Sequence, residues 1–197
     1  MSDFKVLYIL GTGRSGSTLI DILLGNSTKL LSLGEIYHTL SCWIKDSECS
    51  CGQKCNSCPF WSRVKEAFLN EFSEADFKKL KKIQNGYERK ALAPLILLFN
   101  RFFPTKNYKL YKKQLSALYN AIATVNNRAV FIDSSKNPFR AYVLKQIFKE
   151  NLYLLHLVRD GRGALWSWIK SGTIPPFNIS IIKSKTESPQ SPDHYYW

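Results

Sequence analysis

The chain has 197 residues, of which 45% are hydrophobic and 14% aromatic, and this composition excludes an intrinsically disordered protein. The length is sufficient for a buried core, so we interpret residues 1–197 as a single domain. The formal net charge of +13 indicates an anionic partner, such as a nucleotide, a nucleic acid, an acidic glycan or a membrane surface.

The first predicted element is a buried strand at Phe4–Leu10, an apolar run too short for a helix. A glycine-rich turn, GTGRSGST, follows at Gly11–Thr18, and a helical pattern of apolar residues begins directly after it. A strand, a glycine-rich turn and a helix in this order direct a helix N-terminus and backbone N–H groups at an anion. We therefore predict a phosphate site formed by Gly13, Arg14, Ser15, Gly16, Ser17 and Thr18.

The turn differs from the P-loop of nucleoside triphosphatases at one position. Gly11 and Gly16 have the P-loop spacing, but Ser17 stands where the P-loop lysine would reach the β- and γ-phosphates. The nearby cation is Arg14, inside the turn. A glycine-rich match alone is a weak signal, and an ordinary turn between strand and helix is the alternative. The arginine and the hydroxyl groups favour the anion site.

A second short strand is predicted at Leu30–Leu33, with Glu35 just past its carboxyl end. A helical insertion is predicted at about residues 40–127, where Phe60–Phe72 and Ser73–Asn85 have helical patterns. A lysine-rich stretch in the insertion is interpreted as a solvated helix face, and an aromatic stripe is interpreted as core. The lysines are Lys78, Lys79, Lys81 and Lys82, and the stripe consists of Tyr108, Tyr111, Leu115, Leu118, Tyr119 and Ile122.

Strands and helices alternate again after the insertion. We predict a strand at Ala129–Ile132, a helix at Pro138–Lys149, a strand at Leu152–Val158 and the start of another helix at Ala164–Lys170. His156 falls inside the last strand and is predicted to be a satisfied core residue. No apolar run is long enough to span a bilayer and no signal peptide precedes the first strand, so we expect a cytoplasmic protein without a transmembrane segment.

Four ionisable residues follow the carboxyl ends of the predicted strands, namely Arg14, Glu35, Lys136 and Arg159. In an open parallel α/β sheet, ligands bind at this edge, so the four positions support one another. We predict a three-layer α/β fold, similar to that of P-loop proteins, with a mostly parallel central sheet and the helical insertion.

Three segments together resemble the sulfotransferases that use 3′-phosphoadenosine 5′-phosphosulfate, and most closely their bacterial and Golgi-like branch. The segments are LGTGRSGSTL, DSSKNP and LVRDGRGALWS, and the resemblance covers Phe4–Leu40 and Ala129–Lys170. It implies transfer of a sulfuryl group from this nucleotide to a hydroxyl or amine acceptor, with no metal required. It also implies that Arg14 and its turn hold the 5′-phosphosulfate, and that Arg159 and Ser167 hold the 3′-phosphate. The acceptor, whether small molecule, glycan or lipid, is not specified by the sequence.

The resemblance also implies roles at the reacting atoms. Glu35 is similar to the glutamate base of the Golgi-like and bacterial members, and Arg14 would stabilise the leaving phosphate. Lys136 would bind the sulfuryl group or the acceptor. His38, one helical turn after Glu35, is the rival base, because histidine serves in the cytosolic branch. An ordinary acidic helix cap is the structural alternative for Glu35.

Two other functions compete with sulfuryl transfer. A P-loop-type nucleotide-binding protein or small-molecule kinase would need a magnesium ligand, for which Asp133 is the candidate, and a lysine where Ser17 stands. A nucleic-acid-binding protein would use the positive charge, but the sequence contains no motif for one, so we expect no nucleic-acid partner.

Four cysteines lie close together, with the spacing Cys49-x-Cys51-x₃-Cys55-x₂-Cys58. Their density suits a metal site, and a cytoplasmic setting disfavours disulfides, but only Cys55 and Cys58 have the usual zinc-ligand spacing. Related bacterial sequences resemble this stretch, which implies structure rather than catalysis. We interpret it first as a structural loop, second as a structural zinc site and third as a redox pair.

The tail from Ser171 to Trp197 contains four of the eight prolines and is predicted to be loop or disordered. In the family that the chain resembles, further elements follow the helix that holds the 3′-phosphate. We therefore expect a C-terminally truncated catalyst with weak nucleotide binding and little turnover. We also expect exposed apolar surface near the C-terminus, which would favour self-association.

Overall fold

The computed structural model describes residues 4–89 and 92–171 of the chain. Four strands form one sheet in these residues: β1 (Lys5–Gly11), β2 (Leu30–Ser32), β3 (Val130–Lys136) and β4 (Leu152–Leu157). Their order is β2-β3-β1-β4, and each neighbouring pair is parallel. The predicted α/β fold with a parallel central sheet is therefore confirmed.

Eight α-helices accompany this sheet in the described residues. They are α1 (Ser17–Gly25), α2 (Thr39–Lys45), α3 (Trp61–Phe68), α4 (Phe77–Glu88), α5 (Ala93–Phe102), α6 (Lys106–Val125), α7 (Pro138–Phe148) and α8 (Gly161–Lys170). The connection through α1 runs from β1 to β2 at one edge of the sheet, whereas the connection through α7 runs from β3 to β4 at the opposite edge. Because such crossovers are right-handed, α1 and α7 lie on opposite faces, which gives three layers.

The middle of the sheet is apolar on both faces, as expected for parallel strands between helical layers. Val6, Tyr8 and Ile9 of β1 are completely buried, and so are Phe131 and Ile132 of β3. β1 pairs with β3 on one side and with β4 on the other, so its burial follows from its central position. No helix in the described part of the chain is long and apolar enough to cross a membrane.

The helical insertion lies between β2 and β3, as predicted, and contains α2 to α6. The aromatic stripe on α6 is buried along its whole length, which confirms its interpretation as core. Nearby, Trp43 packs against Phe68 and Phe77, with ring centroids 5.5 Å apart in each pair. These rings belong to the same apolar cluster as the β1 and β3 side chains, so the insertion and the sheet share a core.

A buried ion network joins the insertion to the sheet. The Arg140 guanidinium on α7 lies 3.1 Å from a Glu88 carboxylate oxygen on α4 and 3.5 Å from an Asp133 oxygen on β3. Tyr119 of α6 donates a hydrogen bond of 2.5 Å to Asp133, and Tyr111 donates one to Glu88. Buried charges require such partners, so the network fixes α4, α6 and α7 beside the carboxyl end of β3.

Two predictions about the strands are wrong. β3 continues to Lys136 instead of ending at Ile132, so Asp133 lies inside a strand rather than after it. His156 is exposed instead of buried, because β4 is an edge strand in the described part of the sheet. The prediction for the tail concerns residues 172–197, which lie outside the described residues.

Helix α1 turns its polar residues toward the protein. Its buried residues are Ser17 and Asp21, whereas Leu19 and Leu23 are 61% and 56% exposed. At the end of the helix, Gly25 approaches β2 so closely that an added Cβ would lie 2.6 Å from the Ser32 Cβ. The polar face of α1 is therefore the face that lies toward the carboxyl edge of β2 and β3.

Candidate functional site

The glycine-rich turn joins the carboxyl end of β1 to α1. Between Gly11 and Ser17 the backbone has positive φ at Arg14, with 66°, and at Gly16, with 94°, where glycine avoids the strain of a side chain. No side chain of the described residues caps the N-terminus of α1. The first N–H groups of the helix therefore have no side-chain acceptor among the described residues, and they are left for solvent or for an anion.

Helix α8 packs against this turn. A Cβ added at Gly13 would lie 2.6 Å from an atom of the Trp168 ring, so the close approach requires glycine. The Arg14 guanidinium lies 5.2 Å from the centroid of the same ring, which is a cation–π distance. The exposed Arg14 guanidinium thus lies against the Trp168 ring of α8.

Arg159 follows β4 and reaches the same turn. Its Nη1 donates a hydrogen bond of 2.9 Å to the Arg14 carbonyl oxygen, and its Nε lies 3.3 Å from a Cβ placed on Gly163. Ser167 lies on α8, beyond its first turn, and is half-buried. The structure thus brings Arg159 to the Arg14 turn, but the described contacts do not join its guanidinium to the Ser167 hydroxyl.

Glu35 and Lys136 form an ion pair although they are 101 residues apart in sequence. Their segments are joined by the main chain, since Ser134 donates a hydrogen bond of 2.9 Å from its N–H to the Gly34 carbonyl. The Tyr37 N–H donates one of 3.0 Å to the Ser135 hydroxyl. These hydrogen bonds place Glu35, the residue after Gly34, beside the carboxyl end of β3.

His38 completes the cluster around Glu35. Its Nε2 lies 3.6 Å from the second carboxylate oxygen of Glu35, and both side chains are 33% exposed. Burial raises the pKa of Glu35, but hydrogen bonds from His38 and Lys136 outweigh burial, so the pKa lies below its ordinary value. Glu35 is therefore ionised at neutral pH and able to accept a proton, and both candidate bases belong to one cluster.

A cavity of about 550 Å³ connects this cluster with the N-terminal part of α1. Its wall includes Thr18, Asp21, Glu35, Cys49, Cys58, Trp61 and Ser134. The volume lies in the range of pockets that hold small organic ligands. The helical insertion supplies the wall opposite the sheet, through the cysteine loop and the start of α3.

Asp21 is a polar residue of this cavity that the sequence analysis missed. The side chain is 3% exposed, and the Ser134 hydroxyl donates a hydrogen bond of 2.7 Å to it. Burial raises the pKa of Asp21, and the hydrogen bond from Ser134 opposes the rise. The available signal is its spacing: Asp21 lies four residues after Ser17, on the same face of the helix that follows the turn.

No protein-family model, curated protein or solved structure matches this chain. The resemblance to sulfotransferases therefore rests on the three sequence segments.

Asp133, the candidate magnesium ligand, is enclosed by protein. The side chain is completely buried, and it accepts hydrogen bonds from the Tyr119 hydroxyl at 2.5 Å and the Ser135 N–H at 2.9 Å. Arg140 neutralises its charge at 3.5 Å. Asp133 thus belongs to the buried ion network, where a nucleotide-bound magnesium ion would not reach it.

The cysteines divide into one disulfide and three thiols. Cys55 pairs with Cys42, a residue outside the predicted four-cysteine motif. Cys49, Cys51 and Cys58 are free, and their sulfur atoms all lie within 4.8 Å of one another. The expectation that disulfides are disfavoured is therefore wrong for Cys55, and the predicted motif does not act as a set of four equivalent ligands.

One lysine of the predicted solvated face is structural. Lys78, Lys79 and Lys82 are exposed, as predicted, but Lys81 donates a hydrogen bond of 3.2 Å to the Tyr37 carbonyl. Its Nζ also lies 4.2 Å from the Tyr37 ring centroid, and burial lowers the pKa of Lys81 to about 8. Lys81 thus anchors α4 to the residue that precedes His38.

Proposed function

We propose that the chain is a sulfotransferase that transfers a sulfuryl group from 3′-phosphoadenosine 5′-phosphosulfate to a hydroxyl or amine acceptor. The observation that carries the proposal is one arrangement at the carboxyl edge of the sheet. There, the turn that contains Arg14 precedes a helix without a side-chain cap among the described residues, and Arg159 is hydrogen-bonded to that turn. Glu35, Lys136 and His38 form a cluster at the same edge, and Glu35 lines a neighbouring cavity. An anion site beside an acid–base cluster is what transfer of an anionic group requires.

The turn and two arginines would hold the donor. Backbone N–H groups at the start of α1 and the side chains of Ser15 and Thr18 suit the 5′-phosphosulfate, and Arg14 would stabilise the charge on the leaving phosphate. Arg159, with Ser167, would hold the 3′-phosphate through charge-assisted hydrogen bonds. Arg159 already donates to the Arg14 carbonyl, so the two ends of the donor would be bound by connected elements.

Glu35 would act as the base. The acceptor O–H or N–H proton passes to the Glu35 carboxylate while the acceptor atom forms a bond to sulfur. The bond from sulfur to the phosphate oxygen breaks, and its electron pair stays on that oxygen beside Arg14. Lys136, already paired with Glu35, would stabilise the sulfuryl oxygens during the transfer.

The cavity would hold the acceptor. Its wall combines the carboxylates of Asp21 and Glu35 with the aromatic side chains of Phe60 and Trp61. Such a lining suits a ligand with an apolar ring and one or more hydroxyl or amine groups. The wall contributed by the insertion determines which acceptors fit.

The buried position of Asp133 disfavours the competing kinase function. A kinase of the P-loop type needs a lysine near the β- and γ-phosphates and an acidic magnesium ligand. Ser17 occupies the lysine position, and Asp133 is bound by Tyr119 and Arg140. Sulfuryl transfer requires neither group, because its donor has no γ-phosphate.

A direct assay tests the proposed reaction. The full chain is incubated with the sulfate-labelled donor and a panel of phenols, sugars and amines, and both the labelled product and the 3′,5′-bisphosphate nucleotide are quantified. We expect both products in equal amounts, formed at a low rate, with at least one acceptor, and loss of both in Arg14→Ala. Formation of ADP from ATP and magnesium, without either product, would support the kinase function instead.

A further inference from the structure

We propose that Cys49, Cys51 and Cys58 together bind one Zn²⁺ ion. Their sulfur atoms all lie within 4.8 Å of one another. Three thiolates bound to one tetrahedral zinc at about 2.3 Å lie about 3.8 Å apart, so the thiols need to close by only about 1 Å. The three residues are thus already gathered at a spacing close to that of a zinc site.

The backbone holds these cysteines in place without using the thiols. The Cys49 N–H donates a hydrogen bond of 2.8 Å to the Gln53 carbonyl, and the Gly52 N–H donates one of 2.9 Å to the Cys49 carbonyl. Gly52 has a φ of 80°, which closes the turn tightly and favours glycine. Cys58, which is buried, approaches from the segment just before α3. A preformed arrangement of this kind reduces the ordering cost of metal binding.

The pairing of the other two cysteines explains why zinc suits this cluster. Cys42 and Cys55 are joined to each other, so three thiols remain, and any disulfide among them would leave one cysteine over. Soft thiolates select zinc over magnesium or calcium, and binding releases the thiol protons to solvent. Three protein ligands leave one coordination position for water or another ligand.

The position of the cluster defines what the zinc would do. All three cysteines line the cavity that also contains Glu35 and Asp21. A zinc ion would therefore fix the cysteine loop as one wall of this cavity. The cysteine cluster itself is read from its own geometry, and zinc content is measured without any acceptor or donor, so failure of the transfer assay and failure of the zinc site are distinguishable.

Metal analysis of the intact chain tests the site. The chain is produced in zinc-containing medium, freed of loosely bound metal by gel filtration, and analysed by mass spectrometry for zinc per chain. We expect about one zinc per chain in the wild type and less than about one tenth in Cys51→Ser. Cys51 is exposed, so this change removes a ligand without disturbing the core. Ser57→Ala, an exposed position in the same loop, is the matched control and should retain the zinc.

A second measurement distinguishes loss of a zinc ligand from misfolding of the variant. The chain is treated with a chelator, and Co²⁺ is added, since thiolate ligands give cobalt an intense charge-transfer absorption that Cys58→Ser should weaken or shift. The proposal is overturned if the wild type contains no zinc and shows no cobalt absorption. It is also overturned if Cys51→Ser retains zinc, or if intact-mass analysis after alkylation finds two of the three cysteines joined in a disulfide.

Discussion

Glu35 lies between a lysine and a histidine, and its protonation state follows from both. Lys136 pairs with one carboxylate oxygen and His38 lies 3.6 Å from the other. The hydrogen bonds from these residues hold the pKa of Glu35 below its ordinary value despite burial. A carboxylate that stays ionised is ready to accept a proton, but it also gives His38 a partner that would orient its ring.

Substitution of each candidate base separates their roles. Glu35→Gln keeps the size of the side chain and one acceptor oxygen but removes the basic carboxylate, so we expect donor affinity and folding to persist while turnover falls by about 100-fold or more. His38→Ala should reduce turnover less. Steady-state rates of both variants, measured with an acceptor found in the panel, identify the base. Near-normal turnover of Glu35→Gln with an inactive His38→Ala would assign the base to His38.

Asp21 makes the stability of the chain depend on pH. Burial raises the pKa of Asp21 above its value in the unfolded chain. The resulting stabilisation is complete below the unfolded pKa and is lost as the pH rises through the folded pKa, so ionised Asp21 destabilises the fold at neutral pH. We expect Asp21→Asn to raise the urea midpoint at neutral pH, with a smaller gain at about pH 3, below the ordinary aspartate pKa. A loss of stability of the same size at both pH values would contradict this account.

At the scale of elements, the buried ion network decides how the insertion sits on the sheet. Arg140→Met leaves the carboxylates of Glu88 and Asp133 without their cation, so we expect a loss of about 3–5 kcal/mol in the free energy of unfolding. Lys145→Met on the same helix is the matched control. The Lys145–Glu150 pair is 4.0 Å apart and exposed, so its loss should cost less than about 1 kcal/mol. Equal losses in the two variants, measured by denaturant unfolding, would show that the network does not anchor α7.

The sequence predicts those parts of the fold that depend on local patterns. The turn after β1, the placement of Glu35 after β2 and the buried stripe on α6 each follow from a run of neighbouring residues. The end of β3 does not, because Asp133 and Ser135 are polar residues that become strand only through their buried partners. A polar sequence at a strand end gives no local sign of such partners.

Contacts between distant elements are the part of the site that the sequence leaves open. Glu88 and Arg140 are 52 residues apart, and nothing in either helical pattern pairs them. The Cys42–Cys55 bond was outside the predicted motif because Cys42 lies on α2, away from the cysteine loop. Asp21 was missed because its burial depends on the packing of α1 on β3, and not on its own pattern.

At the scale of the whole molecule, the end of the described chain exposes apolar side chains. Leu154 of β4 is 51% exposed and Trp166 of α8 is 68% exposed, and β4 has no partner on its outer side among the described strands. Both an exposed apolar patch and an unpaired strand edge favour association between chains. The apolar surface expected near the C-terminus lies outside the described residues, and self-association remains a prediction.

Light scattering after gel filtration tests this prediction. We expect the molar mass to rise with concentration, and Leu154→Lys to suppress the rise, because a lysine on an edge strand opposes pairing. Ile44→Lys, a similar change at an exposed residue of α2, should leave the association unchanged. A wild type that stays monomeric at all concentrations, or equal effects of the two variants, would contradict the assignment to β4.

In the proposed function, the arginine-containing edge of the sheet binds a nucleotide through its 3′-phosphate as well as its 5′-phosphate. Calorimetric titration tests it by comparing 3′-phosphoadenosine 5′-phosphate with adenosine 5′-monophosphate, which lacks the 3′-phosphate, and with ATP and magnesium. Arg159→Ala should remove the preference for the 3′-phosphate. Arg162→Ala should not, since Arg162 is an exposed neighbour paired with Asp160.

We expect the wild type to bind the bisphosphate more tightly than the monophosphate by about 1.5–3 kcal/mol, the contribution of a charge-assisted hydrogen bond. The bisphosphate should also bind to the wild type more tightly than ATP with magnesium. Arg159→Ala should bind the bisphosphate and the monophosphate with equal affinity. Equal affinity of the wild type for these two ligands, or tighter binding of ATP with magnesium, would contradict the proposal.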